Sequence, residues 1–422
     1  MSEDKDSRGL SGLGNLGNTC YMNATLQCLF ATDMFNYYLK SHKFKKDLKR
    51  RIIDIEFESN KKILKINPHI TEDKLKEYIL TKKTYLKDKF KTSLTYSLYQ
   101  VFNLMWSVNC VVKPKKLKDV IAHFCPKFSG YSQHDSEELL YGLFDRINEE
   151  LKTDIKINRF MVSNEVADYY DKKKKFLKLI KEIYEDAEDK ETMINKFNEF
   201  VADNYNLDIV IRSKEFWKSY FKSNHSIISE IFSGLYCSKV KCDNCNNCNI
   251  NFEPFNILEL PLTDKSGKIF DSIDECLENF ALGETVDYNC ESCKKNGTAT
   301  KQLTIFDVPP RLIIQLKRFS SSPTGIRIFR MSGGKIDNLI KFPLENLDLT
   351  KISNDIKPIK NKYNLYATVN HTGSLGGGHY IAHCKGLLDQ KWYYFNDDTV
   401  GYVNKPSDVI ESSSYILFYE QI

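Results

Sequence analysis

No run of apolar residues in this 422-residue chain approaches the roughly 20 that a bilayer-spanning helix needs. The polar start, MSEDKDSRGL, likewise lacks the apolar centre of a secretory signal. No repeat of fixed period is present, which excludes solenoids and propellers. Charge of one sign is scarce too: 61 Lys and Arg against 56 Asp and Glu leave +5, too little by itself to indicate nucleic acid. The basic stretches near Lys45 and Lys172 also lack the interleaved aromatics on which single strands stack. Together these absences predict a soluble protein of the cytoplasm or nucleus, with no membrane span and no nucleic-acid partner. What is present is a large supply of core: 41% of residues are apolar and 13% aromatic. The length suits one large catalytic domain or two to three ordinary ones. Twelve cysteines in a reducing compartment read as thiols, metal ligands or a nucleophile, because disulfides seldom persist there. Four of them fall in two C-x-x-C pairs rather than being spread as in a disulfide framework.

Along the chain, a Gly/Asn-rich loop from Gly9 runs into an apolar-periodic helix, Tyr21 to Phe30. A helical, Lys-rich stretch follows from about Lys40 to Lys116, and then a helix with stronger periodicity, Ser132 to Leu151. Residues 152–212 contain a second Lys/Glu-rich helical stretch, including DKKKKFLKLIKEIYED, with no glycine or proline. From Ile227 the texture changes to short β-branched and aromatic runs between turn residues, such as RLIIQLKRF, YNLYATVN, HYIAHCK, KWYYFND and SYILFYE. These predict strands of an antiparallel sheet, and the order of helices first and strands second predicts an α+β fold.

The segment G-L-G-N-L-G-N-T-C-Y-M-N, Gly12 to Asn23, places Cys20 where a helix begins. Unpaired N–H groups and the positive dipole end there favour thiolate, the nucleophilic form. Asn15, five residues earlier, can turn its amide N–H toward an oxyanion on the attacked carbonyl. Such a thiol needs a base and a group that orients it. Among eight histidines, His379 has the best setting, after S-L-G-G-G and at the head of the strand HYIAHCK. Asn396 closes the next strand, from which it can accept the Nδ1–H of His379. Gln133 to Ile147 reads as an amphipathic helix with Leu139, Leu140, Leu143 and Phe144 inward. Its acidic first turn, with Asp135 and Glu138 at i, i+3 spacing on one face, suits both the helix dipole and a guanidinium ligand. C-D-N-C at Cys242 and Cys245 and C-E-S-C at Cys290 and Cys293 make a closed tetrahedral, hence structural, Zn²⁺ site, although Cys248 offers an alternative pair with Cys245. Cys28, Cys110, Cys125, Cys237, Cys276 and Cys384 read as packing residues.

These strings resemble the conserved boxes of the ubiquitin-specific protease family. GLGNLGNTCYMNATLQCLF is similar to its Cys box, with Ala24 at the usual serine. GGGHY followed by WYYFNDD is similar to its His box, and QHDSEELL to the box usually written Q-Q-D-A-x-E-F-L. The resemblance extends from about Gly9 to Tyr419 and implies a papain-like cysteine protease fold. By it, residues 1–8 are a tail and 9–422 the catalytic domain. The domain divides into a thumb (9–226, with the insertion at about 152–212), fingers with a zinc ribbon (227–305) and a palm (306–422). It implies Cys20 as nucleophile, His379 as general base, Asn396 as third member, Asn15 at the oxyanion and Asp397 as an auxiliary polar residue. It further implies that Asp135 and Glu138 receive the arginines of ubiquitin's tail, that His371 borders the substrate channel in a loop, and that Cys242, Cys245, Cys290 and Cys293 hold the metal. The partners are then ubiquitin and ubiquitinated proteins. The reaction is hydrolysis after ubiquitin's terminal glycine through a thioester. Holding ubiquitin without cutting it is disfavoured by the complete set of Cys20, His379 and Asn396, while cleavage of another ubiquitin-like modifier stays open.

Overall fold

The computed structural model describes residues 9–422 apart from 68, 108–109, 159, 183–187, 320–333 and 375–376. The tail 1–8, part of the S-L-G-G-G loop and the end of the basic run near Lys172 therefore lie outside the described residues. Twelve strands are found among those described: β1 (Gly234–Cys242), β2 (Cys248–Phe255), β3 (Ile257–Pro261), β4 (Glu284–Asn289), β5 (Asn296–Asp307), β6 (Arg311–Lys317), β7 (Leu347–Asp348), β8 (Lys362–Ser374), β9 (Gly377–Lys385), β10 (Trp392–Asn396), β11 (Thr399–Tyr402) and β12 (Ser414–Gln421). They form two sheets. The smaller has the order β2-β1-β5-β4; the larger runs β11-β10-β9-β8-β12-β6-β3, with β7 paired to β8. The pairing is antiparallel as expected, with one exception: β3 and β6 run parallel. Between them the chain passes through a helix (Ile273–Ala281) and through β4 and β5, a detour long enough for the crossover that parallel neighbours require. The stretch 227–305 is thus shared between both sheets and is not confined to the fingers.

Strands β6 and β12 read as near-continuous apolar runs because the larger sheet is covered on both faces. Ile313, Ile416 and Phe418 face one core together with the helix Cys20–Ala31. Their neighbours Ile314, Leu417 and Tyr419 face a second core with Ile273 and Leu277. Every residue from Cys20 to Phe30 is buried, so this helix has no solvent face, and its polar side chains must find partners inside. Gln27 donates to the carbonyl of Ser11 at 2.8 Å and Thr25 to that of Tyr21 at 2.8 Å.

The helix expected from Ser132 begins at Ser136, because Asp135 takes the N-cap: its Oδ1 accepts the N–H of Glu137 at 2.7 Å. The helical stretch expected within 152–212 is found in helices Asn164–Glu182, Glu188–Asp203 and Tyr205–Asn224, the last running past the predicted boundary, whereas the described residues of 152–163 form no helix. That last helix docks on the smaller sheet. Ile209 and Trp217 share a core with Leu235, Cys237, Ile250 and Phe306, and the Trp217 indole donates to Asp307 at 2.7 Å.

Candidate active site

Two left-handed residues, Gly17 (φ 103°) and Asn18 (φ 52°), turn the chain so that a helix can start at Cys20. At Gly17 a side chain is doubly excluded, since a Cβ would lie 2.8 Å from the Tyr131 ring. The turn is held from within by Asn15, whose Oδ1 accepts from the N–H groups of Gly17 at 2.9 Å and Thr19 at 3.2 Å. The loop is then fastened to the far end of the chain. Leu13 N–H donates to the carbonyl of Asp397 at 2.7 Å. The approach is so close that a Cβ on Gly12 would lie 2.3 Å from the Asp398 carbonyl oxygen.

Asp397, itself left-handed at φ 51°, is the centre of this fastening. Its Oδ2 accepts from Asn15 Nδ2 at 2.9 Å and its Oδ1 from Asn23 Nδ2 at 2.7 Å. Asn15 is therefore oriented at both ends of its amide, with the NH2 group turned toward Asp397. Asp397 acquires a defined part, that of fixing Asn15 and bracing the helix Cys20–Ala31 at Asn23. Sequence reasoning assigned nothing to Asn23; its only signal was its place three residues after Cys20, on the same helix.

His379 opens the exposed end of β9, and its Nε2 lies 2.6 Å from Asn396 Oδ1. An amide oxygen only accepts, so Nε2 carries the hydrogen and Nδ1 is left as the nitrogen that can take a thiol proton. This corrects the expectation of an Nδ1–H bond to Asn396. The next residue, Tyr380, directs its backbone N–H at the Cys20 sulfur, which brings the head of β9 to the start of the helix. Cys20 is only 2% exposed. Burial pushes its thiol up, and the N–H groups of Tyr380, Tyr21 and Cys20 oppose this without prevailing, while the Asp397 carboxylate adds to the rise. The helix N-terminus was expected to lower this pKa. In the free molecule desolvation outweighs it, and Cys20 is held as a neutral thiol.

The acidic pair is arranged differently from the expectation. Asp135, as N-cap, also accepts from the Tyr415 hydroxyl at 2.9 Å, and burial raises its pKa. Glu138 is exposed and paired with Lys127 at 2.5 Å. The carboxylate that lacks compensation is one the sequence reading passed over, Glu137. Burial first, then Asp135, Glu259 and Glu138, push it up to about 7, against a small opposing effect of Lys317. His371 lies in β8 and not in a loop. It is buried, packs on Tyr380 and Phe319, and sits where a Cβ on Gly378 would touch its Nε2 at 2.2 Å. Burial and Lys335 lower its pKa to about 4, so it packs as a neutral ring against Tyr380 of the neighbouring strand β9. Gln133 ties the thumb to the same strand: its amide accepts from Gly378 N–H at 2.6 Å and donates to Gly378 O at 2.9 Å.

At the tip of the smaller sheet, Cys242, Cys245, Cys290 and Cys293 each offer a sulfur, all within 4.8 Å of one another. The two pairs sit in matching turns. Asn246 N–H donates to Cys242 O at 2.9 Å and Lys294 N–H to Cys290 O at 2.8 Å, and both donors are left-handed, at φ 57° and 56°. A lysine gains nothing from that conformation, which costs roughly 1–2 kcal/mol. A four-sulfur donor set of this kind fits a metal ion, and Cys248 stands outside it. Cys110 is exposed, where packing was expected. No described helix is long and apolar enough to cross a membrane.

Residues 11–419 match the family model described as ubiquitin carboxyl-terminal hydrolase. The chain is 30% identical to a probable ubiquitin carboxyl-terminal hydrolase of Acanthamoeba polyphaga mimivirus, over 98% of this chain and 91% of that one. It is 28% identical to the human ubiquitin carboxyl-terminal hydrolase 2 over 99% of this chain. There it spans 56% of the relative, and 36% of the Drosophila melanogaster Usp2 to which it is 29% identical. Among solved structures, the SAGA DUB module with Ubp8 bound to monoubiquitin superposes with a TM-score of 0.62 at 21% identity, covering 100% of this chain and 71% of that one. The same module bound to ubiquitin aldehyde gives 0.61 at 21% identity, covering 100% and 72%.

Proposed function

Because this chain belongs to the ubiquitin carboxyl-terminal hydrolase family, we propose that it is a deubiquitinating thiol protease with Cys20 as nucleophile, His379 as base and Asn396 as orienter. The observation that carries the reading is the His379–Asn396 hydrogen bond at the head of the strand whose Tyr380 N–H points at Cys20. His379 Nδ1 takes the Cys20 proton as the sulfur attacks the carbonyl after ubiquitin's terminal glycine. The oxyanion is met by the second Asn15 hydrogen and by N–H groups at the helix start. The imidazolium then protonates the departing amine, a thioester is left on Cys20, and His379 activates the water that hydrolyses it. Asp135 and Glu137, rather than the paired Glu138, are the acceptors we assign to basic residues of the ubiquitin tail; a guanidinium there would supply the charge that Glu137 lacks. Asp397 acts on Asn15 and is a positioning residue. His371 supports β9 through Tyr380.

The four-cysteine cluster is assigned to zinc. Cys245 and Cys290 have sulfurs 3.7 Å apart, close to the edge of about 3.8 Å in a tetrahedron built on Zn–S bonds of about 2.3 Å. With every position filled by protein such an ion cross-links two turns and takes no part in the chemistry. Thiols in this number also favour the reducing cytoplasm or nucleus. The test is release of a fluorophore from the C-terminus of ubiquitin, run beside other ubiquitin-like modifiers. Turnover of ubiquitin by the parent and none by Cys20→Ala is expected; turnover of a different modifier alone would overturn the substrate assignment.

A further inference from the structure

Cys28 and Cys384 were read as packing residues, but their sulfurs lie 4.0 Å apart, with the Cys384 S–H directed at the Cys28 sulfur. Cys28 in turn directs its own S–H at the carbonyl oxygen of Thr368, 3.4 Å away. Both side chains are buried, at 0% and 4% exposure. Cys28 lies on the nucleophile helix, and Cys384 on β9, the strand that carries the base. The pair therefore bridges the seam between the two halves of the catalytic centre.

The seam is open to small molecules on one side. A cavity of about 30 Å³ reaches Cys384 between Gln27, Phe30, Met105, Trp106 and Leu387. That is room for one or two molecules the size of water. A peptide thiol or a bulky disulfide does not fit; a hydroperoxide does.

We propose that Cys28 and Cys384 form an oxidation site that takes up hydrogen peroxide and closes to a disulfide, switching the enzyme off. The Cys384 sulfur attacks one peroxide oxygen, the O–O bond breaks, and the thiol proton leaves with the other oxygen as water. The resulting sulfenic acid is attacked by Cys28, the S–S bond forms, and the hydroxyl leaves with the Cys28 proton as a second water. Two thiols are oxidised by two electrons and one peroxide is reduced. Cys28, whose sulfur lies 4.0 Å from that of Cys384, is placed for the second step, while the cavity reaches Cys384 for the first.

The effect on activity follows from length. A disulfide is about 2.05 Å long, so the sulfurs must approach by about 2 Å, partly by side-chain rotation and partly by movement of the helix against β9. Cys20 lies eight residues before Cys28 and His379 five before Cys384, so each rigid element carries the shift to the reacting atoms. Misplacement by about 1 Å costs on the order of a hundredfold in rate.

The chemistry is tested in Cys20→Ser protein, where the nucleophile cannot interfere and the identity of the cleaved modifier is irrelevant. After hydrogen peroxide, denaturation and alkylation, a non-reducing peptide map should contain a Cys28–Cys384 linked pair that dithiothreitol removes. Recovery of both residues alkylated, or as sulfinic acids, overturns the proposal. The consequence is tested with the Cys384→Ala and Cys28→Ala variants, whose basal turnover of a ubiquitin substrate should match the parent. Brief peroxide treatment should lower parent turnover at least tenfold, reversibly, and lower that of either variant much less. Equal loss in all three places the damage at Cys20 and overturns the switch.

Discussion

Asn15 and Asp397 form one device, and of substitutions at its two ends only that at Asp397 should change the thiol directly. Asn15→Ala removes a donor that matters as charge develops, so kcat should fall by roughly 10²–10³ with KM little changed. Asp397→Ala should lower kcat as well, because it frees the Asn15 amide held at 2.9 Å. Its carboxylate, however, raises the Cys20 pKa, and losing it should make alkylation of Cys20 by a small reagent faster at neutral pH. Alkylation rates against pH for both variants, with turnover in parallel, check this; slower alkylation of Asp397→Ala would contradict the geometry. In the parent, alkylation should keep rising with pH beyond the ordinary thiol range, because burial raises this group. Glu137 makes a separate prediction about stability. Its folded pKa of about 7 lies above the ordinary glutamate value. The folded state therefore binds the proton more tightly, and stability falls as pH rises from about 4.5 through 7. Glu137→Gln should be close to neutral at pH 4.5 and raise Tm by about 2 °C or more at pH 8. If the same residue meets a basic tail, that variant should also show a higher KM for ubiquitin with kcat preserved.

The two cysteine turns and the helix Tyr205–Asn224 hold the smaller sheet from opposite directions. Freshly purified protein should contain one zinc per chain by metal analysis, and Cys290→Ser should lose it. Structural zinc supplies apparent free energies of ~10–16 kcal/mol in small peptides. The loss should therefore loosen the tip of this sheet and weaken ubiquitin binding more than it changes Cys20 alkylation. On the docked helix, Trp217 stacks on Phe221 at 4.8 Å and is bonded to Asp307. Trp217→Ala should cost ~3–5 kcal/mol, seen in thermal unfolding, with little effect on kcat. The helical character of this region was legible from Asn164 on, where no glycine or proline interrupts the pattern, but not the helix-free start of the stretch at 152–163. Where the last helix docks was not, because its partners Leu235, Ile250 and Phe306 lie on strands whose pairing no local pattern records. The two cysteine turns were legible as spacing, while the place of Cys248 outside the four-sulfur cluster was set by the fold. The start of the helix at Ser136 was missed because Ser132 and Asp135 are both good N-caps, and only the Tyr415 contact adds weight to the second.

For the whole molecule, the α+β arrangement and the residues Cys20, His379 and Asn396 that the fold brings together were legible in short strings whose chemistry is local: a helix start, a strand start, a strand end. What escaped was set by distance through the fold. The neutral state of Cys20 depends on burial under β9 and on a carboxylate contributed by Asp397. The choice of Nε2 over Nδ1 depends on how two strands are offset. The parallel β3–β6 pair depends on a detour through a second sheet. The fastening of Asn15 to Asp397, 382 positions apart, has a further consequence in time. A ribosome adding about 5–20 residues per second exposes the Asn15 segment roughly 20–80 seconds before the residue that holds it. Strand β12, which fits between β8 and β6 at the middle of the larger sheet, arrives later still. In the nascent chain Asn15 is thus without this hold until nearly all of these residues have emerged.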